Sequence, residues 1–359
     1  MRIAQVAPLY ESVPPRLYGG TELVVSYLTE ALVNQDHDVT LFASGDSLTK
    51  AKLVAATPRS LRLDNCWDPL THHILMLEKV LRMHEEDPFD MIHFHVDYLH
   101  FPSARREALP SLTTLHGRLD IPDLVPLYRE FHEMPVVSIS DAQRKPLPWL
   151  NWAGTVHHGL PQGHFHVYVK PGEYLAFLGR ISPEKGVDQA IQIAQQAGMK
   201  LRIAAKVDRT DREYYESKIK SLLAGPNVEF LGEIGYPEKC DFLGKAAALL
   251  VPIQWPEPFG LVMIEAMACG TPIIAYRNGS VPEIVQDGIN GYVVQNVQEA
   301  VEAINRLPSL NRLQCRRCFE KHFTAVQMCR NYLAIYEHLQ TEPAALLLSD
   351  GAQKWTKAA

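Results

Sequence analysis

Short apolar runs alternate with helix-like segments through the first half of the chain. The strand-like runs cover residues 3–7, 39–42, 91–94, 112–115 and 136–139. Residues 21–33 carry apolar side chains at helical spacing, and Ser140 and Asp141 are suited to cap a further helix. Uninterrupted apolar strands separated by helices are typical of parallel sheets that are covered on both faces. This half therefore predicts βαβ units wound around one parallel sheet.

The second half of the chain repeats this plan. Its strand-like runs cover residues 175–178, 201–205, 228–231, 248–251, 272–275 and 292–294, and its helical segments include 187–196 and 213–223. Between the halves, residues 159–172 are rich in Pro and Gly and have no helical period, which is typical of an interdomain linker. We predict an α/β protein in which two doubly wound Rossmann-like domains, residues 1–160 and 161–323, face each other across a cleft.

The overall composition is that of an ordinary globular protein, since 47% of the 359 residues are hydrophobic and 21% are charged. The formal net charge is −6 and no basic run occurs, which argues against a nucleic-acid partner. The first residues lack the apolar segment and cleavage site of a signal peptide. No uncharged apolar stretch reaches the length of about 18 residues that a membrane-spanning helix needs. We therefore expect a cytoplasmic protein without a transmembrane segment.

Two groups of potential metal ligands occur in the sequence. The first is Cys315, Cys318, His322 and Cys329, and the second is His93 and His95. Neither group has the complete ligand set of a zinc site. We favour packed side chains and reduced thiols over metal binding, and we expect neither a metal nor a cofactor.

The richest chemical pattern lies around two acids, Glu257 and Glu265, which seven residues separate. A helix is predicted to start at about Gly260, so Glu257 precedes its N-terminus and Glu265 projects from its side. The N–H groups of Phe259, Gly260 and Leu261 lie between the acids, where the helix dipole favours an anion. This arrangement fits a sugar nucleotide, with sugar hydroxyls near the first acid, pyrophosphate on the amides and ribose near the second.

Glu257, Phe259 and Gly260, followed by Glu-Ala-Met-Ala-x-Gly-Thr-Pro from Glu265, resemble the signature of the retaining family 4 glycosyltransferases, also called group 1. The resemblance implies the GT-B fold, with the acceptor side in the first domain and the donor side in the second. In that fold the last helix, here residues 324–340, crosses back onto the first domain. The Ala-rich residues 342–359 form a weakly patterned tail.

Arg180 and Lys185 follow a predicted strand and precede a predicted helix. Open parallel sheets bind ligands at the carboxyl ends of their strands, and two cations there can neutralise the charge on a departing diphosphate. The resemblance assigns both side chains to the donor pyrophosphate. It also matches Gly19 and Gly20 to a glycine loop that covers the donor phosphates. Tyr18 precedes these glycines, where starch-synthase-like relatives carry Lys.

His116 ends a first-domain strand, and the residues alone leave a structural role open. The resemblance implies that this side chain lies near the donor sugar. The predicted catalytic residues are His116, Glu257, Arg180 and Lys185. The predicted acceptor contacts are His95, Asp97 and Asp120.

Together these features predict a retaining, metal-independent hexosyltransferase. It is expected to move a sugar from a nucleoside diphosphate sugar, with a UDP-sugar as the first candidate, to an unidentified hydroxyl acceptor by same-face attack. Two alternatives remain open: a two-domain nucleotide-sugar epimerase, and a non-catalytic protein that binds sugar nucleotides.

Overall fold

The computed structural model describes residues 1–16, 19–64, 66–170 and 172–341 of the chain. Tyr18, next to the predicted glycine loop, and the predicted tail at residues 342–359 lie outside the described residues. No helix within the described ranges is both long and apolar enough to cross a membrane.

In the described part of the chain, seven parallel strands form the first sheet, in the order β3-β2-β1-β4-β5-β6-β7. The strands are β1 (Arg2–Val6), β2 (Asp38–Ser44), β3 (Lys52–Thr57), β4 (Met91–Phe94), β5 (Ser111–Thr114), β6 (Val136–Ser138) and β7 (Trp152–Thr155). The central strands β4 and β5 are buried along their whole length. Helices cover both faces of such a sheet, which explains the uninterrupted apolar runs in the sequence.

Within the described residues, five helices follow strands of this sheet along the chain. They are α1 (Gly20–Val33), α2 (Pro69–Glu86), α3 (Phe101–Arg106), α4 (Leu124–Glu130) and α5 (Asp141–Arg144). The predicted cap of α5 is confirmed, because Ser140 Oγ accepts a hydrogen bond from Gln143 N at 3.0 Å. Asp68 caps α2 in the same way, accepting from the backbone N–H groups of Leu70 and Thr71.

Six parallel strands among the described residues form the second sheet, in the order β10-β9-β8-β11-β12-β13. The strands are β8 (Tyr174–Arg180), β9 (Lys200–Lys206), β10 (Val228–Gly232), β11 (Ala246–Val251), β12 (Ile273–Tyr276) and β13 (Gly291–Val294). The helices after β8 are α6 (Val187–Gln196), α7 (Arg212–Tyr214), α8 (Lys220–Leu223), α9 (Tyr236–Gly244), α10 (Leu261–Ala268), α11 (Val281–Ile284), α12 (Val297–Asn305), α13 (Arg312–His322) and α14 (Ala325–Thr341). The two parallel sheets with their helices confirm the predicted fold class.

Helix α14, the last one in the part of the chain that the structure describes, packs against α1 beside the first sheet. Tyr332 and Tyr336 of α14 are buried, and Gln340 Nε2 donates to the backbone oxygen of Asp90 at 3.2 Å. The described part of the chain therefore begins and ends at the first sheet.

Two buried arginines on α13 fasten the segment that joins the sheets. Arg316 donates to the backbone oxygens of Gln162 and Phe165, each at 3.0 Å. Arg312 donates to the backbone oxygen of Tyr168 at 2.5 Å. The two arginines thus supply hydrogen bonds to the backbone of the Pro- and Gly-rich segment, which forms few hydrogen bonds within itself.

The sequence patterns did not identify the strands β3 and β7, nor several helices, among them α2. Strand β3 lies at one edge of the first sheet and β7 at the other. Burial along β3 is interrupted by exposed residues, and the residues of β7 are only partly buried. Edge strands lack the long apolar run that marks a central parallel strand, so their sequences resemble loops.

Candidate functional site

A cleft of about 470 Å³ opens between the two sheets. Ten of the predicted site residues line it: Gly19, Gly20, His116, Arg180, Lys185, Glu257, Phe259, Gly260, Leu261 and Glu265. The first three come from the domain of the first sheet and the others from that of the second. The structure therefore brings together the residues that were predicted to bind or activate the donor.

The loop before α10 places Glu257 and the start of the helix in the cleft. Gly260 precedes α10 with φ 86°, a backbone conformation that favours glycine. Gly279 packs against this loop so closely that a Cβ atom would lie 2.3 Å from the backbone nitrogen of Glu257. Leu261 is the first residue of α10, so its N–H group has no acceptor within the helix. The start of α10 can therefore receive an anion.

Glu257 is held by two donors. Lys185 Nζ lies 2.6 Å from Glu257 Oε2, and Trp255 Nε1 donates to the same oxygen at 2.9 Å. Lys185 Nζ also lies 5.5 Å from the centre of the Trp255 ring, in a cation–π contact. These contacts fix the carboxylate at the mouth of α10 and leave its second oxygen for another donor.

Arg180 lies at the end of β8 and faces two acids. Its guanidinium donates to Glu184, and its Nε lies 3.2 Å from Asp211 Oδ2. The carboxyl end of a parallel strand is the expected ligand-binding edge. Arg180 and Lys185 therefore place two cations at this edge, each balanced by carboxylates in the structure.

Glu265 is the most enclosed acid of the site, with 2% of its side chain exposed. Its Oε1 accepts from Lys239 Nζ of α9 at 2.9 Å. Its Oε2 is buried and has no hydrogen-bond partner among the described residues. A buried carboxylate oxygen without a donor is costly, and a ligand hydroxyl would supply the missing hydrogen bond.

His116 forms the opposite wall of the cleft together with a residue whose role the sequence did not reveal. The rings of His116 and His158 stack with centroids 5.3 Å apart, and His158 meets Phe259 edge-on at 4.8 Å. Burial lowers the pKa of His116 to about 3, so this imidazole is neutral at physiological pH. His158 thus connects the first-domain wall to the start of α10.

The three predicted acceptor residues do not line the cleft. His95 is 2% exposed and lies behind His116, with its Nδ1 2.9 Å from His116 Nε2. Asp97 and Asp120 are exposed, and Asp120 accepts two hydrogen bonds from Arg118. Arg118 in turn lies over the ring of Trp255, 5.4 Å from its centre. Neither aspartate lines the cleft, but Arg118 connects Asp120 to Trp255, which does line it.

The two candidate groups of metal ligands are occupied by other contacts. Both ring nitrogens of His93 are hydrogen-bonded, to Tyr336 and to Thr114, each at 2.7 Å. Cys315 is buried, and its Sγ lies 3.8 Å from the backbone oxygen of Asn290. Within the described residues, no three His, Cys, Asp or Glu side chains form a group that could hold a metal ion.

Two family models match this chain side by side. The model described as Glycosyltransferase Family 4 matches residues 18–158, and the model described as Glycosyl transferases group 1 matches residues 166–321. The chain belongs to the group 1, family 4 glycosyltransferases.

Individual relatives of this glycosyltransferase support its assignment to the family. An uncharacterized glycosyltransferase of Methanocaldococcus jannaschii is 26% identical over 341 residues, covering 81% of this chain and 84% of the relative. An uncharacterized 42.6 kDa protein from the cps region of Klebsiella pneumoniae is 32% identical over 164 residues. That match spans 45% of this chain and only 40% of the relative's length.

Solved structures show the same GT-B fold. The structure of Anabaena HepE in complex with UDP and glucose superposes with a TM-score of 0.73 at 18% identity. It covers 94% of this glycosyltransferase and 100% of the Anabaena chain. The likeness extends over both sheets and their helices, so it confirms the predicted GT-B architecture.

Two cleft residues, Lys239 and His158, escaped the sequence analysis. Lys239 follows Tyr-Pro-Glu at the start of α9, where nothing in the sequence indicates its partner 26 positions away. His158 precedes a glycine at the start of the linker, but its place between His116 and Phe259 depends on how the two domains meet. A lone His or Lys is a weak signal, so only the fold identifies them.

Proposed function

We propose that this glycosyltransferase moves a sugar from a nucleoside diphosphate to a hydroxyl acceptor with retention of anomeric configuration. The supporting observation is the convergence of Arg180, Lys185 and the N-terminus of α10 on a cleft that also holds Glu257 and Glu265. Cations and helix amides suit a diphosphate, and carboxylates suit hydroxyl groups on either side of it.

The pyrophosphate is proposed to bind at the start of α10. Its oxygens would accept hydrogen bonds from the amides around Leu261 and face the side chains of Lys185 and Arg180. Without ligand, these two cations are paired with three carboxylates, those of Glu184, Asp211 and Glu257. The diphosphate would bring its negative charge close to the two cations Lys185 and Arg180, which attract it.

The ribose is proposed to bind at Glu265. A ribose hydroxyl can donate to Oε2, which has no partner among the described residues, while Lys239 keeps Oε1 in place. Glu257 is proposed to receive a hydroxyl of the transferred sugar, because it precedes the helix amides and its Oε2 is already held. The two acids then flank the phosphates in the order sugar, diphosphate, ribose.

The proposed reaction exchanges one bond at the anomeric carbon. The bond from that carbon to the β-phosphate oxygen breaks, and its electron pair goes to the departing oxygen. The acceptor oxygen attacks from the same face, and its proton passes to the departing phosphate oxygen. Lys185, Arg180 and the α10 amides stabilise the separated charge. Because these groups neutralise the leaving diphosphate, the proposed reaction requires no divalent metal.

A UDP-sugar is the first donor to test. HepE, which shares the fold, was crystallised with UDP and glucose and also with UDP-glucose. Glu233 and Ile234 line the same cleft as Lys239 and Glu265, and they are the residues proposed to lie near the base. This comparison supports UDP-glucose as the reference compound in a donor screen.

The test begins with thermal unfolding of the protein in the presence of UDP-glucose, GDP-mannose and ADP-glucose. A ligand that binds the folded state raises the melting temperature by mass action. The donor that stabilises the protein most is then supplied with a radiolabelled sugar, with and without a panel of methyl glycosides and free monosaccharides. NMR of the product determines the configuration of the new anomeric bond.

We expect acceptor-dependent transfer with retained configuration, and loss of transfer in a Lys185→Ala variant. Inversion at the anomeric carbon would contradict the same-face scheme. Release or epimerisation of the sugar without an acceptor would favour an epimerase or hydrolase. Stabilisation by sugar nucleotides without any turnover would favour a binding protein.

A further inference from the structure

A buried chain of hydrogen-bonded polar side chains runs from the cleft to α14. His116 Nε2 lies 2.9 Å from His95 Nδ1, and His95 Nε2 lies 2.9 Å from Gln5 Oε1. Gln5 Nε2 then donates to the hydroxyl of Tyr336 at 3.2 Å. Tyr336 belongs to α14, so the helix that returns to the first domain ends up connected to a residue of the site.

The chain of hydrogen bonds continues beyond Tyr336. Its hydroxyl lies 2.7 Å from His93 Nδ1, and His93 Nε2 lies 2.7 Å from Thr114 Oγ1. Thr114 Oγ1 lies 2.9 Å from the hydroxyl of Tyr332, also on α14. Gln5 and both tyrosines fall outside the residue ranges that the two family models match, whereas His93, His95, Thr114 and His116 lie within the first of them.

The three histidines of this hydrogen-bonded chain, His93, His95 and His116, are neutral. Burial and the neighbouring histidines lower the pKa of His93 and His95 well below the ordinary value, and burial lowers the pKa of His116 to about 3. A neutral imidazole carries one proton, so one ring nitrogen donates and the other accepts. The position of each proton is then set by the neighbouring hydrogen bond.

The carboxamide of Gln5 determines which atom donates and which accepts in each of these hydrogen bonds. Its Nε2 donates to Tyr336, so its Oε1 accepts, and the proton of His95 must lie on Nε2. His95 Nδ1 is then the acceptor, and it receives its hydrogen bond from His116 Nε2–H. The remaining nitrogen of His116, Nδ1, keeps its lone pair, and it has no partner among the described residues.

We propose that Gln5, His95 and Tyr336 are positioning residues that hold His116 in the Nε2–H tautomer, with Nδ1 as a hydrogen-bond acceptor for a hydroxyl group in the cleft. An acceptor nitrogen selects a hydroxyl and rejects a phosphate or carbonyl oxygen, which cannot donate. This hydroxyl belongs to the transferred sugar, an identification that rests on the proposed function. The tautomer itself does not depend on that function.

The tautomer is measured directly on the full chain labelled with ¹⁵N in its histidines. Long-range ¹H–¹⁵N correlation spectra distinguish a protonated Nε2 from a protonated Nδ1, and loss of signals in His116→Gln identifies the resonances of His116. We expect the Nε2–H pattern in the wild-type protein. An Nδ1–H pattern would overturn the proposal, because it requires the opposite orientation of the Gln5 carboxamide.

Two substitutions test whether the distant residues set the tautomer. Tyr336→Phe removes the acceptor of Gln5 Nε2, and Gln5→Met removes the acceptor of His95 with little change of volume. Tyr174→Phe is the matched control, since its buried hydroxyl donates to the backbone oxygen of Phe242 at 2.6 Å, outside the chain. We expect both test variants to show mixed tautomers at His116 and the control to keep the wild-type pattern.

A wild-type pattern in both test variants would overturn the positioning role. Circular dichroism and melting curves establish folding, and if one test variant does not fold, the other decides. With an active donor in hand, we expect Tyr336→Phe to lower kcat/KM for transfer by about tenfold, roughly the equivalent of one hydrogen bond. Affinity for free UDP should not change, because His116 is not placed at the nucleotide. Absence of any transfer activity would contradict the proposed function but leave the tautomer result intact.

Discussion

Lys185 Nζ lies 2.6 Å from Glu257 Oε2, so the cation predicted for the phosphates touches the acid predicted for the sugar. The sequence places them 72 positions apart, and each was assigned to a different part of the donor. Their contact means that removing either side chain leaves the other without its partner in a half-enclosed site. Variants of this pair therefore need a control that loses a similar ion pair elsewhere.

Removal of a cleft cation should slow transfer strongly. We expect Lys185→Ala or Arg180→Ala to lose roughly 2–4 kcal/mol of transition-state stabilisation, by analogy with the loss of a donor to a developing oxyanion. The measurement is kcat/KM with the best donor. Lys218→Ala is the control, because Lys218 pairs with Asp188 at 2.8 Å on an exposed surface. A cleft variant that turns over at the control's rate would exclude the phosphate role.

Transfer should not depend on a divalent metal. Lys185 and Arg180 supply the positive charge that a metal would otherwise bring to the leaving diphosphate. We expect the rate to be unchanged after dialysis against excess EDTA and to show no rise on addition of Mg²⁺ or Mn²⁺. Loss of activity in chelator that returns with either ion would contradict this prediction.

The two acids should have separable effects on binding. Because Glu265 is proposed to bind the ribose, Glu265→Ala should weaken binding of free UDP, and the loss of a hydrogen bond to a charged group is worth about 1.5–3 kcal/mol. Glu257→Ala should leave UDP binding unchanged and lower turnover of the intact donor. Calorimetric titration of both variants with free nucleotide measures the difference.

The ion pair between Glu265 and Lys239 requires a further variant in that experiment. Removing one partner of an enclosed pair destabilises the other, so Glu265→Ala could lose affinity through Lys239 alone. Lys239→Met provides the comparison, because it leaves the carboxylate in place. Equal losses of UDP affinity in the two glutamate variants, or a loss confined to Glu257→Ala, would show that the acids are assigned the wrong way round.

The residues predicted for the donor line one cleft, and most of them are nearly contiguous in the sequence. Glu257, the amides at the start of α10 and Glu265 lie within nine residues, so local helix geometry is enough to order them. Arg180 and Lys185 follow a recognisable strand. The partners of these residues were not predictable, because the contacts of Lys239 and His158 depend on how distant segments pack.

The residues predicted for the acceptor do not line this cleft, and their assignment stays a prediction. His95 and Asp97 follow the same strand, and alternation along a strand and its loop does not reveal which side chain faces the cleft. The fold places His95 in the interior, where it contacts His116, and leaves Asp97 outside the cleft lining. Strand position therefore identified the neighbourhood of the site but not the direction of each side chain.

Stability should depend on pH through Glu283, which joins the two domains. Its carboxylate accepts hydrogen bonds from the backbone N–H groups of Asp141 and Ala142 at the start of α5, each at 2.8 Å. His157 Nε2 lies 3.2 Å from the same carboxylate. Burial opposes ionisation of Glu283, but these hydrogen bonds prevail and hold its pKa below the ordinary value of 4.5.

A lowered pKa in the folded state stabilises the protein above pH 4.5, and this contribution is lost as pH falls through the folded value. We expect Glu283→Gln to unfold more easily than the wild type by about 1–2 kcal/mol at pH 7, since a charged acceptor is replaced by a neutral one. The difference should shrink below pH 4.5. Urea unfolding midpoints at pH 7, 5 and 3.5 measure it, with the exposed Glu302→Gln as control. A difference that stays constant over this range would show that the ionised carboxylate does not hold the domains together.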